Sequence, residues 1–232
     1  MNPNFIPYAY GTRAGLTVID LDHTLAMLRR AANLTRAIAA AGGSIIFLGT
    51  RPDIRGTVKL AAERIGDRGY YVSEKWLPGT LTNRIHHHGL DAVESTKIIP
   101  DLVVILNPLA NMPAIRECAI EHVPTIGIID SNVDPRVVMY AIPANDESTR
   151  TAEIIAGVLS IAGREGVEIR KTREAEDAAD PDSVSTEYKD GQTVIDGNEE
   201  QLREFLGNDG LPDVKELERQ ALSGELALKF NK

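Results

Sequence analysis

Apolar and polar positions follow one another in blocks along most of the chain. LTVID (16–20) is a short β-rich run. Residues 22–41 then put Leu25, Leu28, Ala32 and Ala39 on one helical stripe, which Gly42-Gly43 closes. SIIFLG (44–49) reads as a buried strand, 53–66 as a helix ended by Gly66, and YYV (70–72) as a shorter strand. DLVVILN (101–107) is continuous and β-branched, as a parallel strand covered on both faces should be. A helix over 111–121, the strand TIGIID (125–130), the short strand MYAI (139–142) and a helix over 146–163 that starts with capping residues complete the pattern.

Strand-helix alternation of this kind predicts an α/β fold, a doubly wound parallel sheet with right-handed crossovers. Ligands of such sheets gather outside the carboxyl ends of the strands. Those ends carry Asp20, Gly49-Thr50-Arg51, Asn107 and Asp130. From about residue 170 large apolar residues become scarce and acidic ones frequent. The sequence therefore divides into an α/β core (1–170) and an acidic, partly helical C-terminal tail (171–232). In that tail Leu217, Leu222 and Leu226 recur at near-helical spacing and suit docking on a protein partner.

Composition adds three constraints. With 232 residues and 43% hydrophobic content the chain can bury one sizeable core. No apolar run approaches the roughly 18 residues of a membrane span, and the N-terminus shows neither a secretory nor a transit pattern. The single cysteine, Cys118, cannot form an internal disulfide or a zinc cluster and reads as a small core residue on a helix. The net charge of -9 argues against a nucleic-acid partner, but its distribution argues for one. Residues 1–90 hold 11 Lys and Arg against 6 Asp and Glu, whereas 171–232 hold 8 against 16.

Two chemistries compete for the motifs. VIDLDHTL (18–25) has the Asp-x-Asp-x-Thr spacing of haloacid-dehalogenase phosphatases. On that reading Asp20 is the nucleophile, Asp22 the general acid, Thr50 a phosphate donor and Lys75 or Lys97 a neutralising base, with Asp130 and Asp134 holding magnesium. The competing reading makes Asp22 a helix N-cap and Asp20 a strand end. The Gly-Thr-Arg turn at 49–51 can bind phosphate, and Arg51, Arg55 and Lys59 at four-residue spacing suggest one basic helical face, better suited to a phosphate backbone than to a small substrate. EKWLPGTLTNR (74–84) sets the only tryptophan, Trp76, among Lys75, Arg84, Thr80, Thr82 and Asn83. Such a segment is either an RNA surface that stacks and contacts phosphate or a packed loop with Trp76 as its anchor. The run His86-His87-His88 lacks the three- or four-residue spacing of helical metal ligands and reads as an exposed loop.

The blocks NPNFIPYAYGTRAGLTVIDLDHTLAMLRRA, GGSIIFLGTR, KWLPGTLTN, PDLVVILNP, VPTIGIIDSNVDP and YAIPANDES resemble, in order, those of the universal ribosomal small-subunit protein two family in its bacterial and mitochondrial form. Their wording is most similar to fungal mitochondrial members. The resemblance implies a flavodoxin-like core bound to small-subunit rRNA near the head–body junction, in contact with neighbouring ribosomal proteins. It implies a structural role in translation in the mitochondrial matrix, with no catalysis, no membrane and no cofactor beyond magnesium carried by the rRNA. Carried onto this sequence, it makes Arg13, Arg51, Lys75, Trp76, Thr80 and Asn83 RNA-facing, and the basic row and the loop flank add Arg55 and Arg84. Bacterial members insert a long helical hairpin before the PDLVV strand. Residues 84–99 are too few for one at about 1.5 Å of helix per residue.

Overall fold

The chain enters through a 3-10 turn, Pro3–Tyr8, into a hairpin of antiparallel strands, β1 (Ala9–Arg13) and β2 (Leu16–Ile19). Ala14 and Gly15, between them, both have positive φ, the backbone of the two-residue turns that suit strand twist. β2 is the expected LTVID run, but it pairs only with β1 and takes no part in the parallel sheet. Its residues alternate between exposed and half-buried, whereas sheet strands of this fold are covered on both faces. The computed structural model describes residues 1–89, 99–179, 186–189 and 192–195.

After the hairpin come α1 (Leu21–Ala40), β3 (Ile45–Leu48), α2 (Arg55–Ile65) and β4 (Gly69–Val72). A short helix, α3 (Arg84–His88), precedes β5 (Leu102–Ile105), α4 (Met112–Ile120), β6 (Thr125–Ile129) and β7 (Tyr140–Pro143). A long helix, α5 (Thr149–Ala179), follows. The parallel sheet runs β4-β3-β5-β6-β7. Counted within the sheet, that is the 2-1-3-4-5 order of flavodoxin-like folds. The expected α/β class and its flavodoxin-like form are both present.

Alternate residues of each central strand serve opposite faces. Ile45, Phe47, Leu102, Val104, Ile126 and Ile128 meet α1, α2 and α5. Leu48, Val103, Ile105 and Ile129 meet α4, together with Phe5, Trp76 and Leu81 from irregular segments. Burying each such side chain contributes roughly 1.5–3 kcal/mol. The stripe expected on α1 is buried only in part: Ala32 and Ala39 are in the core and Leu28 lies against it, but Leu25 is 47% exposed.

α5 does not stop at Gly163. Gly163 and Gly166 are packing glycines: a Cβ on Gly166 would stand 2.3 Å from the Arg36 carbonyl oxygen of α1. Across the same contact Glu165 accepts two hydrogen bonds from Arg36, at 2.9 and 2.7 Å. Beyond it the helix continues through Arg164–Glu168 and Arg170–Glu174 pairs at helical spacing, into residues expected to belong to the tail. The chain divides into two compact units, Met1–Glu176 and Asp177–Lys232. The second contains an antiparallel hairpin of β8 (Thr186–Lys189) and β9 (Gln192–Ile195). Asp190-Gly191 separates these strands in sequence, a hairpin signal the sequence reading passed over. The tail leucines Leu217, Leu222 and Leu226 lie outside the described residues. Among the described residues no helix is long and apolar enough to cross a membrane.

Candidate nucleic-acid interface

Strand order reverses between β3 and β5, so the loops leaving these two strands diverge and open a cleft at the carboxyl edge. Gly49, just after β3, has no room for a side chain: a Cβ would lie 2.8 Å from Val58 Cγ1 and 2.9 Å from Ile54 Cδ1. The floor of the cleft is a polar knot. The Thr50 amide donates to Asn107 Oδ1 at 3.2 Å, and Asn107 Nδ2 and Asn111 Nδ2 donate to Thr50 Oγ1 at 3.0 and 3.2 Å. Asn111 also donates to the Asn107 carbonyl at 2.9 Å. Thr50 is thus occupied within the fold. Above it the cleft encloses about 450 Å³ and is walled by Arg55, Glu74, Lys75, Trp76, Pro78 and Pro113.

The basic row needs correction. α2 starts only at Arg55, after a 3-10 turn over Pro52–Ile54, so Arg51 does not share a helical face with Arg55 and Lys59. Its guanidinium turns inward, donating to Asp53 at 2.7 Å and to the Asp146 carbonyl at 2.6 Å. Arg51 and the Thr149 hydroxyl hold the Asp53 carboxyl below its ordinary pKa. Arg51 therefore ties the loop after β3 to the loop before α5. Arg55 is exposed, as is Lys59, which lies 3.7 Å from Glu63.

The loop between β4 and α3 is built around one acid. Trp76 is 5% exposed, and its indole N–H donates to Glu117 Oε1 at 3.2 Å. The Gly79 amide donates to the same oxygen at 2.7 Å, and the Leu81 amide to Oε2 at 2.9 Å. Trp76 is consequently the packing anchor of this loop, and its ring is not presented for stacking. Lys75 and Asn83 are exposed, and the Thr80 hydroxyl donates to the Leu77 carbonyl. Arg84 pairs with Glu121 at 3.3 Å. His87 lies against the Pro78 carbonyl at 3.2 Å, and His86 is exposed on α3. Arg13 is exposed on the β1–β2 hairpin. The cleft thus brings together Arg55, Lys75 and Trp76 of the eight expected positions.

Glu117 escaped the sequence reading. Its signal was there: Glu117 stands on α4 in phase with Ala114 and beside Ile115 and Cys118, all buried. A carboxylate on the apolar face of a helix implies buried donors. Cys118 is in the core as expected, and burial, with the charge of Glu117, pushes its thiol up to about 12.

Three of the four phosphatase acids, Asp20, Asp130 and Asp134, are spent on backbone capping. Asp20, not Asp22, is the N-cap of α1 and accepts the Asp22 amide at 3.0 Å. It follows a strand of the hairpin and does not end a sheet strand. Asp130 accepts the amides of Ser131 and Asp146. Asp134 caps the turn Pro135–Val137, and its hydrogen bonds from Arg136, with one from Asn4, hold its carboxyl far below the ordinary range. Lys97 lies outside the described residues. Among the described residues no three His, Cys, Asp or Glu side chains gather as a metal site.

The sequence pattern of one protein family, Ribosomal protein S2, matches residues 1–88 and 84–166. The small ribosomal subunit protein uS2m of Schizosaccharomyces pombe is 45% identical over 175 residues, 68% of this chain and 66% of that protein. The uS2m of Neurospora crassa is 42% identical over 183 residues, 71% of this chain and 42% of that protein. The uS2 of Mesoplasma florum is 30% identical over 207 residues, 73% of this chain and 77% of that protein. The chain therefore spans somewhat under two thirds of the first relative's length and less than half of the second's.

Proposed function

The chain belongs to the ribosomal protein S2 family, and from that membership we propose that it is a structural constituent of the small subunit of the mitochondrial ribosome. It holds small-subunit rRNA and neighbouring ribosomal proteins and catalyses no reaction. The observation that carries this reading is the family match across residues 1–166, nearly the whole α/β unit. The geometry is consistent with it, because Asp20, Asp130 and Asp134, three of the four acids the phosphatase would need, each accept a backbone amide within the fold.

The RNA-facing group is Arg55 and Lys75 at the mouth of the cleft, with Asn83 on the loop and Arg13 on the hairpin, all exposed. Arg51, Trp76, Thr80 and Arg84 act beneath them, as supports of the two loops. The acidic C-terminal extension repels phosphate and runs on protein instead.

Sedimentation of organelle lysate tests the assignment, with the protein expected in the small-subunit peak and its absence there overturning the reading. Arg55→Ala and Lys75→Ala should each weaken binding to a small-subunit rRNA transcript and lower the salt slope by about one. Magnesium-dependent phosphomonoester hydrolysis, lost in Asp20→Asn, would instead restore the phosphatase.

A further inference from the structure

We infer that Glu117 is a positioning residue for RNA binding: through three N–H bonds it sets the shape in which the loop 75–83 offers Lys75 and Asn83 to the rRNA. The inference rests on the proposed function and adds to it the group on which the loop's order depends.

The loop has no strand or long helix of its own. What fixes it is Glu117, 6% exposed, reached by the Trp76 indole, the Gly79 amide and the Leu81 amide. These donors are spread across the loop, so one side chain fixes its start, its turn and its end. All three partners donate, which suits a carboxylate, with two acceptor oxygens and no hydrogen to turn away. The turn is narrow: Gly79 has φ +91°, and a Cβ there would stand 3.2 Å from Asn83 Cβ. The Asn83 amide closes it on the Gly79 carbonyl at 2.7 Å. One helical turn on from Glu117, Glu121 takes Arg84 at 3.3 Å. Glu117 and Glu121 thus hold the segment near both ends, and Lys75 and Asn83 are exposed on it. An unpaired Lys75 beside a preformed turn loses less freedom on meeting a phosphate than one on a loose loop.

Glu117→Gln keeps the volume and loses one acceptor. Its oxygen can still serve Trp76 and Gly79, but its NH2 then faces the Leu81 N–H, donor against donor. The full-length variant should show at least tenfold faster amide exchange at Gly79 and Leu81, with exchange in β3 and β5 unchanged. Its affinity for a small-subunit rRNA transcript should fall several-fold, comparable to Lys75→Ala, and the double variant should lose little more than either alone. Full affinity despite a loosened loop would overturn the inference. So would a loss of affinity in step with faster exchange across the whole sheet, which marks a purely structural role. If Glu117→Gln folds poorly, Trp76→Phe provides the second variant, since it keeps a buried ring and withdraws one of the three donors from Glu117. Should Lys75→Ala and Asn83→Ala both leave affinity unchanged, the loop is not an RNA contact at all. The inference then falls with the loop, while sedimentation with the small subunit still judges the family function separately.

Discussion

On one face of the sheet α1, α2 and α5 lie against Ile45, Phe47, Leu102 and Ile126, in contact through small residues such as Ala31, Ala39, Ala156 and Gly166. On the other, α4 shares the cover with Phe5 from the N-terminal turn and with Trp76 and Leu81 from a loop. The first face is closed by helices whose backbone groups satisfy themselves. The second is closed partly by irregular backbone, whose N–H groups need partners from elsewhere. Glu117 supplies them, and the knot of Thr50, Asn107 and Asn111 does the same at the cleft floor. The loop that brings Lys75 and Asn83 to the candidate interface belongs to the face held by buried polar side chains, because a surface made of loops can be precise only if something beneath it is rigid.

This contrast makes the second face the more fragile. Trp76→Ala should cost about 3–5 kcal/mol in urea unfolding, since it empties a large buried site and also removes a donor from Glu117. Trp76→Phe, which keeps an aromatic ring but loses the N–H and part of the volume, should cost about 1 kcal/mol beyond the lost volume. If Trp76→Ala leaves stability intact and weakens only RNA binding, the ring stacks on RNA and its placement as an anchor is wrong. On the helical face, Gly166→Ala sets two effects against each other. Alanine gains about 1 kcal/mol of helix propensity, but its Cβ would meet the Arg36 carbonyl at 2.3 Å, and backbone cannot move aside cheaply. A net loss of about 2 kcal/mol is expected. A net gain would show that α1 and α5 are less tightly engaged than their geometry states.

The same contrast explains which parts of the structure could be read from sequence. β3, β5 and β6 are continuous apolar runs between helical stripes, and the parallel α/β class follows from such runs, whereas the flavodoxin-like order was implied only by the family resemblance. The hairpin β1–β2 was half-visible: LTVI announces a strand, but AYGTR does not, and nothing local says that the pair stays out of the sheet. The last helix was expected to span only 146–163, because sequence does not reveal Ile65 of α2, which a Cβ on Gly163 would meet at 2.8 Å. In the candidate interface the exposed bases Arg55 and Lys75 were recognisable from type and spacing. The role of Arg51 was not, and Trp76 was left between stacking and anchoring, since each is settled by a partner far along the chain, Asp146 for one and Glu117 for the other. Tertiary partners of this kind decide whether a base or an aromatic faces solvent.

A smaller effect tests the junction that first suggested a phosphatase. As the N-cap of α1, Asp20 should be worth about 1 kcal/mol against Ala and only a few tenths against Asn, which caps equally well. Thermal unfolding of the two variants checks this ordering. Equal losses would mean that the charge, and not the cap, is what the site needs.

The smallest effect belongs to Asp146, at the other end of the Arg51 tie. Burial first, and then the charge of Asp130, raise the pKa of this carboxyl above the ordinary value, while Arg51 opposes them more weakly. A raised folded-state pKa means that folding favours the protonated form. The contribution is fully present below the unfolded carboxyl's pKa and is lost as pH rises through the folded one. Asn imitates the protonated form at every pH. Asp146→Asn should therefore be nearly neutral at about pH 3 and stabilising at about pH 7, by the part that ionisation removes from the native protein. Urea midpoints at the two pH values give the sign directly. Arg51 sharpens the test, because its Nη2 is buried without a hydrogen-bond partner while Nη1 donates to the Asp146 main-chain carbonyl. If Asp146→Asn is destabilising at about pH 7, the carboxylate is pairing with that free N–H in solution, and the loops after β3 and before α5 are joined by an ion pair as well as by the backbone hydrogen bond.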